Sequence, residues 1–248
     1  MALREDMEKQ GNWLFRWRSY LPLLIIPLFI VALRYSRSLE HIIGYRGMAY
    51  WEVFAVCVSF LGLGVRCLTV GFVPWGTSGR NTKAQFAESL NTTGMYSILR
   101  NPLYLGNFII VLGITLFIQV WWFALIVWVG FWLYYERIVF AEEEFLRKKF
   151  GAPFLDWADK TPAFFPKFKN WKSPNLKFSL KTVIKREFNT FFSIVSTFFF
   201  LKLGTNLLLD KTLRVHIFWL LFYLTGLFIY LTILIIKKKT KLLNVSNR

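Results

Sequence analysis

Six stretches of the chain are almost continuously apolar, at about residues 17–35, 50–73, 103–120, 121–140, 188–209 and 213–236. A helix of about 20 apolar residues covers the hydrocarbon thickness of a bilayer. The pattern therefore predicts an all-α polytopic transmembrane bundle of about six spans. Pro22 and Pro27 fall inside the first run and are expected to bend it, which spanning helices tolerate. Only Gln119-Val120-Trp121 separates the third and fourth runs, so these should form an antiparallel hairpin. Residues 74–98 are polar and rich in Gly, Thr and Asn, and read as a loop. Residues 141–187 are amphipathic and basic and contain no stretch able to span. This divides the chain into 1–73 (two N-terminal spans), 74–166 (loop, hairpin and post-hairpin segment) and 167–248 (basic linker and two C-terminal spans).

Composition supports a membrane protein. Of 248 residues, 55% are hydrophobic and 19% aromatic, and Trp and Tyr favour the membrane–water interface. The net charge of +17 would suggest nucleic acid in a soluble protein. Here the basic residues lie between and after apolar runs, concentrated at 147–186 and 237–241, while the alternate connections hold few: Arg37, Arg46, Lys211 and Arg214. The positive-inside rule puts the basic side, with the amphipathic segment and both termini, in the cytoplasm. No nucleic-acid partner is expected; the partners are the bilayer, its anionic headgroups and a membrane lipid. The two cysteines, Cys57 and Cys67, are too far apart along one helix for a disulfide and read as packing residues.

Two segments break the apolar pattern. Arg100-Asn101-Pro102-Leu103-Tyr104-Leu105-Gly106 lies where the polar loop enters the third span. Pro102 suits the first turn of a helix. Arg100 and Asn101 then flank a positive helix end that favours a carboxylate or phosphate; the plainer reading is an interfacial arginine before an ordinary proline start. The second segment is Glu136-Arg137 followed by Glu142-Glu143-Glu144. Glu136, Glu143 and Arg147 nearly align on one helical face, and an acid near membrane depth is expensive unless paired or functional. The plainer reading is a solvated face of Glu–Lys pairs. Arg66, inside the second span, is either a snorkelling residue or a contact inside the bundle. His41 and His216 read as structural, so no histidine base is evident, and no phosphate loop or metal-ligand motif is present.

The order and spacing of RNPLYLG and EEEFLRKKFGAPFLDWADKTPAFFP, joined by a hairpin, resemble the isoprenylcysteine carboxyl methyltransferase and phospholipid methyltransferase superfamily over about residues 75–166. Glu142, Glu143, Leu146, Phe150, Gly151, Pro162 and Pro166 fall at matching positions, whereas Phe154 and Trp157 replace the family's usual tyrosines and Asn101 replaces its usual histidine. The resemblance implies S-adenosylmethionine as cofactor, held on the cytoplasmic side by Arg100, Asn101, Tyr104, Gly106, Glu142 and Glu143. It also implies a lipid acceptor arriving from the bilayer. Asn101 can hydrogen-bond a carboxylate but cannot titrate. The stretch GRNTKAQFAESLNTTGMYSILRNPLYLGN is similar to bacterial lipid A phosphate methyltransferases, which implies a bacterial inner membrane and an anionic acceptor oxygen. Arg80, Lys83 and Arg137 suit such an acceptor, and Arg100, Glu143 and Arg137 are the catalytic candidates. An ionised phosphate or carboxylate needs no base to accept a methyl group, whereas an amine must first lose a proton. Amine N-methylation of a phospholipid remains the nearest alternative. A non-catalytic transport or scaffold protein is another; charged residues in the middle of the spans, which would favour transport, read as few.

Overall fold

The computed structural model describes residues 2–18, 20–37, 39–74 and 85–245. Arg80 and Lys83, expected near the acceptor, lie outside the described residues. Those described are all-helical or irregular. The helices are α1 (Leu3–Trp17), α2 (Ile26–Leu33), α3 (Glu40–Gly71), α4 (Met95–Ile98), α5 (Pro102–Ile118), α6 (Trp121–Phe150), α7 (Ala152–Lys160), α8 (Leu180–Leu209) and α9 (Ile217–Lys239).

Four of these, α3, α6, α8 and α9, are long and apolar enough to cross a membrane. Six such helices were expected from the sequence. The difference lies in the first and third apolar runs. In the first, proline splits the run into a 3-10 turn, Leu21–Ile25, and the short α2, each with proline in its opening positions. The third gives α5, whose 17 residues are bounded by Pro102 and by Gln119, left-handed at φ 63°. At 1.5 Å per residue α5 spans only about 26 Å.

Contacts nevertheless carry the first run along the bundle. Arg18 lies 3.9 Å from Glu142 of α6, and the Tyr35 ring sits edge-on to Trp122 near the other end of that helix. Those two α6 positions are about 30 Å apart along its axis. The ends of α3 and α6 and the beginnings of α5 and α8 meet at one end of the bundle. Arg66 bonds Asn107 and Glu187, and Asn101 faces Glu143. At the opposite end Arg37 makes a forked ion pair with Asp210 and a further bond to Asn206. That pairing pulls the Asp210 carboxyl below its usual range.

The tightest interface is between α3 and α5, and small residues make it possible. A Cβ on Gly113 would lie 2.3 Å from Ser59 Oγ and 2.5 Å from the Ala55 carbonyl oxygen, and one on Gly62 would meet the Gly106 carbonyl oxygen at 2.6 Å. Such close backbone approach is how membrane helices associate without help from water. Around this pair Phe117, Phe123, Ile194, Phe198 and Trp219 form the buried core. The outward faces stay apolar, with Leu125, Phe200, Leu221, Phe228 and Ile235 exposed, as lipid contact requires.

Charges inside the spans are more numerous than the sequence reading suggested, and they are paired. Glu52 of α3 accepts from Lys202 of α8, and Arg66 makes a forked pair with Glu187. Both pairs tie α3 to α8. Arg66 is therefore a bundle contact rather than a snorkelling residue. His216 caps α9, its Nδ1 accepting from the Phe218 amide, in keeping with a structural role.

Candidate functional site

The polar loop and α5 meet at Asn101. Pro102 starts α5, and the carbonyl of Asn101 accepts from the Tyr104 and Leu105 amides. The Asn101 side chain makes no cap bond to its own helix. Instead its Nδ2 donates to the Ala163 carbonyl at 3.2 Å and faces Glu143 Oε1 at 3.5 Å. The Arg100 amide donates to the Pro162 carbonyl at 2.9 Å. The post-hairpin segment thus holds the residues before α5 by its backbone carbonyls. The Arg100 guanidinium reaches Glu143 at 3.2 Å, while its Nε is buried without a hydrogen-bond partner.

These groups open onto a cavity of about 380 Å³, within the range of small-molecule sites. Of the residues predicted from sequence, Arg100, Asn101, Tyr104, Glu142 and Glu143 line it together. Tyr104 lines the cavity with Glu142 and packs against Tyr135 at 4.6 Å between ring centroids. Tyr135 accepts from Asn107, which in turn accepts from Arg66. Polar side chains therefore run continuously along the cavity floor from Glu187 through Arg66 and Asn107 to Tyr135. Tyr104, Glu142 and Arg18 extend this line to the far wall.

Two predicted site residues, Gly106 and Arg137, stand elsewhere. Gly106 does not line the cavity. It packs α5 against α3, where an added Cβ would fall 2.5 Å from Arg66 Cγ, so its role is to admit the neighbouring helix. Arg137 also faces away, donating to Glu136 and to Gln10 of α1. Six residues from Glu143 is about 120° around a helix, which turns the two side chains onto different faces. Glu136 is committed to that pair, and Arg147 to Glu144.

The sequence reading missed Phe15, Arg18, Tyr96, Arg186 and Glu187, all of which line the cavity. Glu187 carried one usable signal, a lone acid in the basic entry to a span. Phe15 and Arg18 carried none, because α1 reaches the site by Asn12 accepting from Gln85 of the loop and by packing on the end of α6. It does so through Gly11, whose missing side chain lets α1 rest on the Arg137 backbone, and through ion pairs Arg4–Glu144 and Glu8–Lys148. Burial pushes the Tyr96 phenol up to about 12, so it stays neutral at physiological pH. By formal charge, four arginines of the lining, Arg18, Arg66, Arg100 and Arg186, stand with three glutamates, Glu142, Glu143 and Glu187.

Residues 49–153 match the phospholipid methyltransferase family. The superfamily resemblance read from the two motifs is thus borne out over that segment, which runs from early α3 to the start of α7. Among curated proteins, the chain is 29% identical over 127 residues to the nickel-cobalt-cadmium resistance protein NccN of Alcaligenes xylosoxydans xylosoxydans, covering 51% of this chain and 59% of that protein. It is 33% identical over 113 residues to the cobalt-zinc-cadmium resistance protein CzcN of Cupriavidus metallidurans, covering 44% and 49% respectively. The chain therefore spans about half the length of the curated relatives it matches. No solved structure matches.

Proposed function

We propose, with the phospholipid methyltransferase match of residues 49–153 as the premise, that this chain is an S-adenosylmethionine-dependent membrane methyltransferase whose acceptor is an anionic oxygen on a lipid. The observation that carries the reading is the cavity at the start of α5, where Arg100 and Asn101 of the loop meet Glu142 and Glu143 of the hairpin. The cofactor fits the groups present. A buried Arg100 Nε without a partner suits its carboxylate, and the two glutamates suit its amine and ribose hydroxyls.

When bound, the cofactor supplies an electrophilic methyl group on a sulfonium. Arg100 and Asn101 hold one end of the reacting pair, and Glu143 is kept in place by both. Arg18, 3.9 Å away, stands beside Glu142. The aromatic wall of Tyr104, Tyr135 and Trp157 excludes water, which strengthens attraction between the anionic acceptor and the cationic surroundings. With the cofactor held by Arg100, Asn101, Glu142 and Glu143, its sulfonium would supply the methyl group to an acceptor oxygen, giving a methyl ester and releasing a neutral thioether. No proton moves. The formal excess of arginine over glutamate in the lining favours an anionic acceptor over an amine, and the resemblance of residues 79–107 to lipid phosphate methyltransferases supports phosphate ahead of carboxylate. Methylating a lipid phosphate removes a negative charge and weakens its hold on divalent cations, which agrees with the metal-resistance names of the relatives.

Amine methylation is the second reading, favoured by the matched family's name and by Glu142, a carboxylate in the cavity able to take an amine proton. Mass spectrometry of lipids from cells with and without the gene separates the two. One added methyl on a phosphate-bearing oxygen is the expected result; methylation confined to an ethanolamine nitrogen would replace it with the amine reading.

In this proposal the chain crosses a bacterial inner membrane six times, the first and third apolar runs included, with both termini and the cavity in the cytoplasm. The core at 74–166 borrows walls from α1 and α8. Reporter fusions at the C-terminus and beside Arg46 should report opposite sides; the same side for both would contradict this topology.

A further inference from the structure

The segment that follows α7 has a feature the cavity does not use. Its backbone is tied to α4 and to the residues just before α5: the Pro162 carbonyl to the Arg100 amide, the Ala163 carbonyl to Asn101 Nδ2, the Lys167 amide to the Ile98 carbonyl, and the Lys172 carbonyl and amide to the Gly94 amide and Ser97 Oγ. Its side chains turn the other way. Phe164 packs against Trp132, a half-exposed residue on the apolar outer side of α6. Trp132 lies about 15 Å along that helix from Glu142, toward the middle of the bundle. The segment therefore reaches down beside a lipid-facing helix. Beyond Phe164, Phe165 is 77% exposed, Phe168 76% and Trp171 50%, and Lys167, Lys169 and Lys172 are exposed between and after them.

We propose that residues 163–172 form a strap that inserts its aromatic rings into the headgroup boundary of an anionic bilayer, and that this insertion steadies the backbone holding Arg100 and Asn101. The partner follows from the pattern. Large aromatic side chains are stable at the interface, where their rings leave water without entering the hydrocarbon centre. Lysines interleaved with them add attraction specifically to anionic headgroups, at about 1 kcal/mol each, or roughly fivefold in binding per residue. A neutral bilayer would satisfy the rings but not the lysines. Turns at Lys167–Asn170 and Phe168–Trp171, the bond from Asn170 to the Lys160 carbonyl and the Lys172 ties hold the strap's backbone, so what its rings rest against is passed through backbone bonds to the residues before α5.

The proposal concerns a surface and its coupling to α5, and it stands whether or not the cavity methylates anything. The test uses the full chain in nanodiscs of phosphatidylcholine alone or with phosphatidylglycerol. In a background lacking Cys57 and Cys67, spin labels at Phe165→Cys and Phe168→Cys report accessibility to oxygen and to a water-soluble relaxant. Expected are oxygen-rich, interfacial values that deepen with phosphatidylglycerol. Replacing Lys167, Lys169 and Lys172 with glutamine should abolish the response to the anionic lipid while leaving the fold intact. Hydrogen exchange at the Arg100 amide should slow several-fold in the anionic discs and not in that triple variant. Aqueous values in both lipids would overturn insertion. Equal depth in both would overturn the anionic partner, and exchange at Arg100 indifferent to lipid would overturn the coupling.

Discussion

Arg100→Ala is expected to weaken S-adenosylmethionine binding by roughly a hundredfold while the protein stays folded. The change leaves Glu143 partly buried without its cation and removes the donor fork, and losing one partner of such a pair typically costs about 2–5 kcal/mol. Arg100→Lys should recover only part of the loss, since an ammonium keeps the charge but cannot present two parallel N–H groups. Arg137→Ala is the matched control. It removes an arginine about 9 Å along α6 from Glu143 but from a face turned toward α1, and should leave affinity within about twofold. Calorimetry on the three variants checks all of this; equal losses for Arg100→Ala and Arg137→Ala would show that general positive charge, not the cavity, governs binding.

Gly113→Leu is expected to destabilise the bundle by about 3 kcal/mol or more. The first added carbon already meets Ser59 and the Ala55 backbone inside normal contact distance, and the remaining three have no room. Because α3 supplies Arg66 and α5 supplies Tyr104 and Asn107, separating these helices also dismantles the cavity. Gly130→Leu on α6 adds the same side chain where a Cβ meets nothing within 4 Å, and should be tolerated. Thermal unfolding of both variants in detergent measures the difference. A Gly113→Leu protein as stable as Gly130→Leu would mean that the α3–α5 approach is looser than described.

The parts of the site that were legible in the sequence are those carried by local rules. A proline after Arg-Asn marks a helix start, and three glutamates in a basic chain mark a place where acid has a reason to be; both lead to the cavity. Gly106 was legible as a special position but not in kind, because a motif glycine can serve a ligand or a neighbouring helix, and only the position of Arg66 distinguishes the two. Arg66 itself had two readings that Glu187 resolves, from a helix more than a hundred residues away. Arg18 and Phe15 were beyond reach for the same reason: nothing in an amphipathic N-terminal helix says which helix end it will dock on. The fold followed similar lines. Apolar runs located the long helices, but run length alone did not show that Pro22 and Pro27 divide the first into pieces too short to cross as one helix.

The central claim is that this cavity moves a methyl group onto a lipid. The most direct measurement is incubation of the purified full chain with methyl-labelled S-adenosylmethionine and total membrane lipids, followed by extraction of the lipids. The account predicts label in a lipid that carries phosphate, at a rate that falls at least tenfold in Glu143→Ala. Donor binding without any labelled lipid, or labelling that Glu143→Ala leaves unchanged, would contradict it.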